Sequence, residues 1–192
     1  MDAFLSSTAA VALAEIGDKT QLLTLFLAAR YRQTWPIIAG IFVATVLNHL
    51  VSGWIGAWLG QSFNGDVMAW VIGISFIAVG FWLLIPDKDE EVSEKWLKGG
   101  AFVATTILFF LAEIGDKTQL ATVFLAAKYQ DVFWVVVGST LGLMLANVPM
   151  VFLGDWLLKK LPLPIIRVAA CVLFVALGLV TLYQPVLALM QS

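Results

Sequence analysis

The chain has 192 residues, of which 61% are hydrophobic and only 12% are charged, and its formal net charge is −2. A soluble domain of this length is nearer half apolar and a quarter charged, so the composition excludes an ordinary soluble protein. The same composition leaves no basic surface for nucleic acid and no room for a separate soluble domain, so any function must lie among apolar helices.

Six apolar stretches follow one another along the chain, and each is long enough to cross a bilayer, which takes about 20 residues. They are residues 3–29, 35–59, 68–85, 101–127, 132–158 and 164–190. Charged residues at positions 15, 18 and 19 interrupt the first stretch, unlike the uninterrupted apolar core of a secretory leader, so we expect it to be retained. The sequence therefore predicts an all-α, multi-pass membrane protein with six transmembrane helices.

One long polar stretch divides the chain. Residues 87–99 are interpreted as a cytoplasmic linker between a first three-helix repeat, residues 1–86, and a second, residues 100–192, within one transmembrane domain. Eight basic residues fall in the connections on one side of the six-span arrangement: Arg30, Arg32, Lys88, Lys95, Lys98, Lys159, Lys160 and Arg167. Only Lys128 falls on the other side. Because basic connections favour the cytoplasm, we expect both termini to be extracytoplasmic in the cell (inner or plasma) membrane.

A repeated segment is the most specific feature of the sequence. Residues 13–31 (LAEIGDKTQLLTLFLAARY) and 111–129 (LAEIGDKTQLATVFLAAKY) match at 16 of 19 positions with a constant offset of 98. Each repeat contains three spans, and since three is odd, the second copy enters the membrane from the opposite face. This predicts two inverted-topology repeats related by a pseudo-two-fold axis, an arrangement typical of secondary transporters that bind substrate near the midplane.

Acidic residues lie at the centre of the first and fourth predicted spans. Each glutamate follows the start of its span by 12 residues, which is about 18 Å along a helix, in a hydrocarbon core about 30 Å thick. A charge at that depth costs at least about 2.5–3.5 kcal/mol, so these side chains must face the interior and find partners. Glutamate and aspartate three positions apart share a helix face. The predicted metal ligands are Glu15, Asp18, Glu113 and Asp116.

The remaining motif residues form four pairs with supporting roles: Lys19 and Lys117, Thr20 and Thr118, Gln21 and Gln119, and Gly17 and Gly115. The lysines either neutralise the carboxylates or move aside to admit the metal. The glutamines lie beside the aspartates, whereas the threonines point away if the helix is regular. The glycines permit either close helix packing or a break in the helix that offers carbonyl oxygens.

Charge counting indicates an exchange reaction. Four carboxylates and two lysines gathered on the pseudo-two-fold axis carry a net charge of −2. One divalent cation would balance this charge, and so would two protons, because crowded carboxylates in a low dielectric titrate as a coupled group. We therefore expect a divalent cation and protons to compete for the same oxygens, although Na⁺ could replace H⁺ as counter-ion.

The donor set consists of hard oxygens, which suit Mg²⁺, Ca²⁺ and Mn²⁺. The chain has one cysteine and one histidine, so it offers no thiolate or histidine cluster for Zn²⁺ or Cu⁺. Asn48, His49 and Asn147 could add ligands, and a nitrogen donor would favour Mn²⁺ over Ca²⁺; His49 is otherwise a helix contact or a proton carrier. The metal is the transported substrate, and no resident cofactor is predicted.

These motifs resemble those of a known family. Duplicated Glu-x-Gly-Asp-Lys-Thr on the first and fourth of six spans is similar to the small cation/proton antiporters that move Mn²⁺ or Ca²⁺, and in particular to MneA-type bacterial manganese exporters. The resemblance implies a manganese exporter in the plasma membrane. It also implies a metal site formed by Glu15, Asp18, Glu113 and Asp116, with the adjoining lysines and threonines completing the signature.

Other functions remain open at this stage. A proton-coupled exporter of a small organic cation or amino acid could use the same carboxylates, and so could a divalent cation channel. An intramembrane enzyme with an acidic pair has no need of a duplicated, inverted motif with two lysines, so we expect no enzymatic activity. Small residues on the helices could pack them within one chain or between two, so the sequence leaves a homo-oligomer open.

Overall fold

The computed structural model describes residues 1–63, 65–85, 97–154 and 162–191, and these residues form α-helices and no strand. The helices are α1 (Asp2–Glu15), α2 (Lys19–Tyr31), α3 (Thr34–Ser62), α4 (Gly65–Trp82), α5 (Gly100–Glu113), α6 (Lys117–Tyr129), α7 (Val132–Leu153) and α8 (Leu163–Gln191). The prediction of an all-α protein is confirmed. Most of the predicted linker lies outside the described residues.

Among the described residues, four helices are long and apolar enough to cross a membrane: Thr34–Ser62, Gly65–Trp82, Val132–Leu153 and the segment Leu163–Tyr183 of α8. The other two predicted spans are not continuous. Residues 3–29 are divided between α1 and α2, and residues 101–127 between α5 and α6, so that each of these helices has 13 or 14 residues. A multi-pass membrane protein is therefore supported, with two of its apolar stretches broken in the middle.

Both breaks have the same backbone geometry. Gly17 and Gly115 adopt φ angles of +83° and +75°, a left-handed conformation that side chains with a Cβ atom disfavour. Each glycine N–H is satisfied locally, because Gln21 Oε1 accepts from Gly17 at 2.8 Å and Gln119 Oε1 accepts from Gly115 at 2.6 Å. Of the two interpretations of the glycines, a helix break is the one observed.

The two halves of the chain are interleaved. Most helix packing runs between them: α1 lies along α7, α3 lies along α5 and α6, and α4 lies along α8. Glycines at equivalent positions permit two of these approaches. A Cβ atom on Gly138 of α7 would lie 2.5 Å from the Phe4 carbonyl oxygen, and one on Gly40 of α3 would lie 2.9 Å from the Phe102 carbonyl oxygen.

Polar and apolar side chains are distributed as a membrane protein requires. Large apolar side chains cover the outer surface, where Trp54, Val172 and Val180 are 71%, 62% and 69% exposed. The four motif carboxylates are buried instead. Since lipid tails do not solvate charged groups, this distribution places the functional chemistry between the helices.

Candidate metal-binding site

The helix breaks position the four predicted ligands. Glu15 and Glu113 are the last residues of α1 and α5, and Asp18 and Asp116 directly precede α2 and α6. All four side chains are at most 4% exposed. At each break a helix C-terminus, which carries partial negative charge, lies beside a helix N-terminus, which carries partial positive charge, so the side chains determine the charge at this level.

A threonine in each motif bonds to the glutamate of the same motif. Thr118 Oγ1 donates to Glu113 Oε2 at 2.8 Å, and Thr20 Oγ1 donates to Glu15 Oε1. The expectation that these threonines point away assumed a regular helix and does not hold. Because the left-handed glycine interrupts the helix, the threonine hydroxyl, five positions after the glutamate, turns back towards its carboxylate.

Asn147 of α7, one of the candidate additional ligands, lies beside Glu15. Its Nδ2 donates to Glu15 Oε1 at 2.9 Å, and its Oδ1 is 2.8 Å from the hydroxyl of Thr24. Gln21 also reaches α7, where its Nε2 donates to the Ala146 carbonyl at 3.0 Å. These bonds attach the first motif to a helix of the second half.

The other two candidate additional ligands have different partners. Asn48 Nδ2 donates to the Phe110 carbonyl at 3.1 Å, and His49 Nδ1 is 3.4 Å from Thr140 Oγ1. Both side chains are buried on α3. Neither hydrogen-bonds a motif carboxylate in the described part of the chain.

The lysines also differ in their surroundings. Lys117 Nζ donates to the Ile85 carbonyl at 3.1 Å and lies 5.6 Å from the Trp82 ring centroid, so it is directed towards the end of α4. Lys19 is near enough to Glu113 to act on it electrostatically.

The two motifs approach each other around Glu113. The charged groups that act on its carboxylate are Glu15, Asp116 and Lys19, of which the first and last belong to the other motif. Glu113 Oε1 and Asp116 Oδ2 are buried and have no hydrogen-bond partner among the described residues. In the same residues, no three acidic, histidine or cysteine side chains are close enough together to hold one ion.

A small, partly open cleft adjoins both motifs. It is lined by Gly17 and Asp18 of the first motif, Lys117 of the second and Arg167 of α8, among other residues. Arg167 Nη2 donates to the Gly17 carbonyl at 3.4 Å. Arg167 was expected in a connection between spans, and its position in the cleft was not predicted. The available signal was that Arg167 is the single charged residue in the α8 sequence.

Comparison with known proteins gives consistent matches. A family model described as "Divalent cation/proton antiporter GDT1" matches residues 3–91 and 101–188. A Vibrio cholerae protein named "Putative manganese exporter" is 49% identical over 181 residues, which cover 92% of this chain and 88% of that protein.

More distant relatives match over nearly the whole chain. GDT1-like protein sll0615 of Synechocystis is 25% identical over 210 residues, covering 97% of this chain and 99% of that protein. GDT1-like protein 4 of Oryza sativa subsp. indica is 25% identical, covering 96% of this chain and 74% of that protein. No solved structure shows significant similarity.

Proposed function

The chain belongs to the GDT1 family of divalent cation/proton antiporters, and we propose that it exports Mn²⁺ from the cytoplasm in exchange for protons. The observation that carries this proposal is the approach of two buried acidic motifs at the breaks of α1–α2 and α5–α6. Manganese is favoured because the relative that is 49% identical has a name describing a manganese exporter. Ca²⁺ is the second candidate ion, since carboxylate oxygens suit both metals.

The proposed ligands are Glu15, Asp18, Glu113 and Asp116. Their burial and the partnerless oxygens of Glu113 and Asp116 support this assignment. Since the described residues contain no group of three acidic, histidine or cysteine side chains that could hold an ion in this conformation, we expect metal binding to draw the two motifs together. Lys19 and Lys117 supply positive charge nearby when no metal is bound, and protons replace the metal on the same oxygens.

The proposed topology is six crossings in two inverted halves. In this arrangement α1 with α2, and α5 with α6, each form one broken crossing, like the discontinuous helices of other secondary transporters. The equivalent glycine contacts at Gly40 and Gly138 and the 98-residue offset between the matched segments support it. Both termini are then extracytoplasmic, as the basic residues indicate.

Unequal packing of α2 and α6 supports a cytoplasm-facing conformation. α6 lies closely along α3, where Gly56 packs directly against Val123 and Ala126. The corresponding packing of α2 on α7 is less extensive. The cleft to Asp18 lies between the end of α4 and the start of α8, which are both cytoplasmic in the proposed topology. Cytoplasmic Mn²⁺ would enter here.

Transport by the purified protein in proteoliposomes tests this function. Mn²⁺ entry is followed with an enclosed metal-sensitive dye, and proton movement with a pH dye, while a pH gradient is imposed with equal Mn²⁺ on both sides. We expect the pH gradient to drive Mn²⁺ against its own concentration gradient, with protons moving in the opposite direction. Ca²⁺, Mg²⁺ and an imposed Na⁺ gradient are compared in parallel.

Two outcomes would contradict the proposal. Mn²⁺ flux that only follows its own gradient and ignores the pH gradient would indicate a channel. A wild-type protein that moves no divalent cation, but releases protons on addition of small organic cations, would indicate a different substrate class.

A further inference from the structure

The two motifs have the same sequence but different hydrogen-bond partners. Glu15 Oε1 accepts from Thr20 and from Asn147 of α7. Glu113 accepts from Thr118 at Oε2, and its Oε1 has no partner in the described residues. One glutamate is therefore held between two helices, while the other is held only within its own motif.

The chemistry of the amide fixes the orientation of Asn147. Asn147 presents its NH₂ group to Glu15, as it must whenever that carboxylate is ionised and can only accept hydrogen bonds. Its oxygen, the atom that could ligate a metal, then faces Thr24 Oγ1 at 2.8 Å. Asn147, Thr24 and Glu15 are all fully buried. The amide oxygen is thus already engaged, and Asn147 acts on the site through Glu15.

Around the second motif, the described residues form no equivalent of this network. Thr122 corresponds to Thr24 at the 98-residue offset, and both hydroxyls lie 2.9 Å from the carbonyl oxygen four residues earlier. Among the described residues, only the Thr24 hydroxyl also reaches an asparagine oxygen, that of Asn147 at 2.8 Å. His49 corresponds to Asn147 and contacts Thr140 instead. The difference comes from the partner helices, because the two motif segments themselves are nearly identical.

We infer that Asn147, oriented by Thr24, is a positioning residue that holds Glu15 as the fixed part of the cation site, whereas Glu113 moves onto the ion. This inference rests on the proposed function, since it assigns unequal roles within that site. Groups that orient a metal ligand typically change metal affinity by about 10–100-fold when they are removed.

The near-identical segments supply a matched pair of variants, Thr24→Val and Thr122→Val. Valine preserves shape and removes the hydroxyl in each case. In proteoliposomes we expect Thr24→Val to raise the KM for Mn²⁺ about tenfold with little change in maximal rate, because the ligand is less well oriented but still present. Thr122→Val should leave KM unchanged, and Thr24→Ser, which restores the hydroxyl, should recover the wild-type KM.

Each outcome decides the inference. Equal KM values for Thr24→Val and Thr122→Val, or a loss of maximal rate alone, would overturn it. If either valine variant is aggregated on size-exclusion chromatography, the pair Thr24→Ala and Thr122→Ala is compared in the same way. Wild-type protein without Mn²⁺ flux would refute the proposed function instead, which separates the two failures.

Discussion

At the scale of single residues, Gly17 and Gly115 determine where the motif helices break. A Cβ atom on Gly115 would meet nothing within 4 Å, so substitution there tests backbone conformation alone. We expect Gly115→Ala to lower the free energy of unfolding by about 1–2 kcal/mol, the cost of a left-handed alanine. Thermal unfolding in detergent, followed by circular dichroism, measures this.

The control is Gly65→Ala, since position 65 is equally open and its φ angle is not positive. It should be neutral or slightly stabilising, because alanine favours helix. A Gly115→Ala variant as stable as Gly65→Ala would show that the break does not depend on glycine.

Removing a carboxylate charge should abolish transport without unfolding the protein. Glu113→Gln preserves the size of the side chain and an oxygen for Thr118, but it removes the charge that a divalent cation needs. We expect no measurable Mn²⁺ flux and an unchanged or raised unfolding temperature, because a buried charge is costly. Glu15→Gln should likewise show no measurable Mn²⁺ flux. Retained transport in both variants would contradict the assignment of these ligands.

The sequence predicted that the four carboxylates face the interior, because charged side chains are rare and costly inside apolar spans, and their burial confirms this. Their role as metal ligands stays a prediction. The sequence could not predict the role of Thr20 and Thr118, since their direction depends on a break that the apolar pattern does not reveal. Arg167 was missed for another reason: its position near a span end made it resemble an ordinary cytoplasmic basic residue.

At the scale of helices, the contact between α3 and α6 (the α3–α6 seam) should control access to the site. Gly56 packs directly on Val123 and Ala126, so Gly56→Leu should separate the two helices. We expect Ala127→Cys, in a Cys171→Ala background, to react faster with a membrane-impermeant maleimide when Gly56→Leu is present.

The matched control is Trp58→Leu, which changes a side chain that is 60% exposed on the same helix. Unchanged labelling of Ala127→Cys in the Gly56→Leu variant would show that the seam does not open in this way.

The helices themselves were predicted to different degrees. α3, α4, α7 and α8 each overlap most of one predicted apolar stretch, because hydropathy and length are enough to predict an uninterrupted span. The paired helices α1–α2 and α5–α6 appeared as single spans, since apolar residues continue on both sides of Gly17 and Gly115. Their division depends on the φ angle of one glycine in each pair. The sequence offered a helix break at that glycine only as one of two interpretations.

At the scale of the whole molecule, the distribution of basic residues makes a topology prediction. Alkaline phosphatase fused to the C-terminus should be active, and green fluorescent protein fused there should be non-fluorescent. The same reporters inserted after residue 90 should give inactive phosphatase and a fluorescent protein. Reporter activities in intact cells measure this, because phosphatase folds only outside the cytoplasm and the fluorescent protein inside it. A fluorescent C-terminal fusion would contradict the extracytoplasmic termini.

The relation between the halves was only partly predictable. The repeat indicated that residues 13–31 and 111–129 are equivalent, but equivalence does not determine which helices touch. The pairing of α1 with α7 and of α3 with α5 depends on complementary surfaces such as Gly138 against Phe4, which have no signature in one sequence.

The interleaving of the halves has a consequence for biosynthesis. Asn147 is synthesised 132 residues after Glu15, its hydrogen-bond partner, so at typical translation speeds the first charged segment waits on the order of ten seconds for that partner. During this interval its carboxylates must be sheltered by the insertion machinery or by one another. Newly made first halves should therefore be substrates for membrane quality-control proteases whenever translation stalls before α7 emerges.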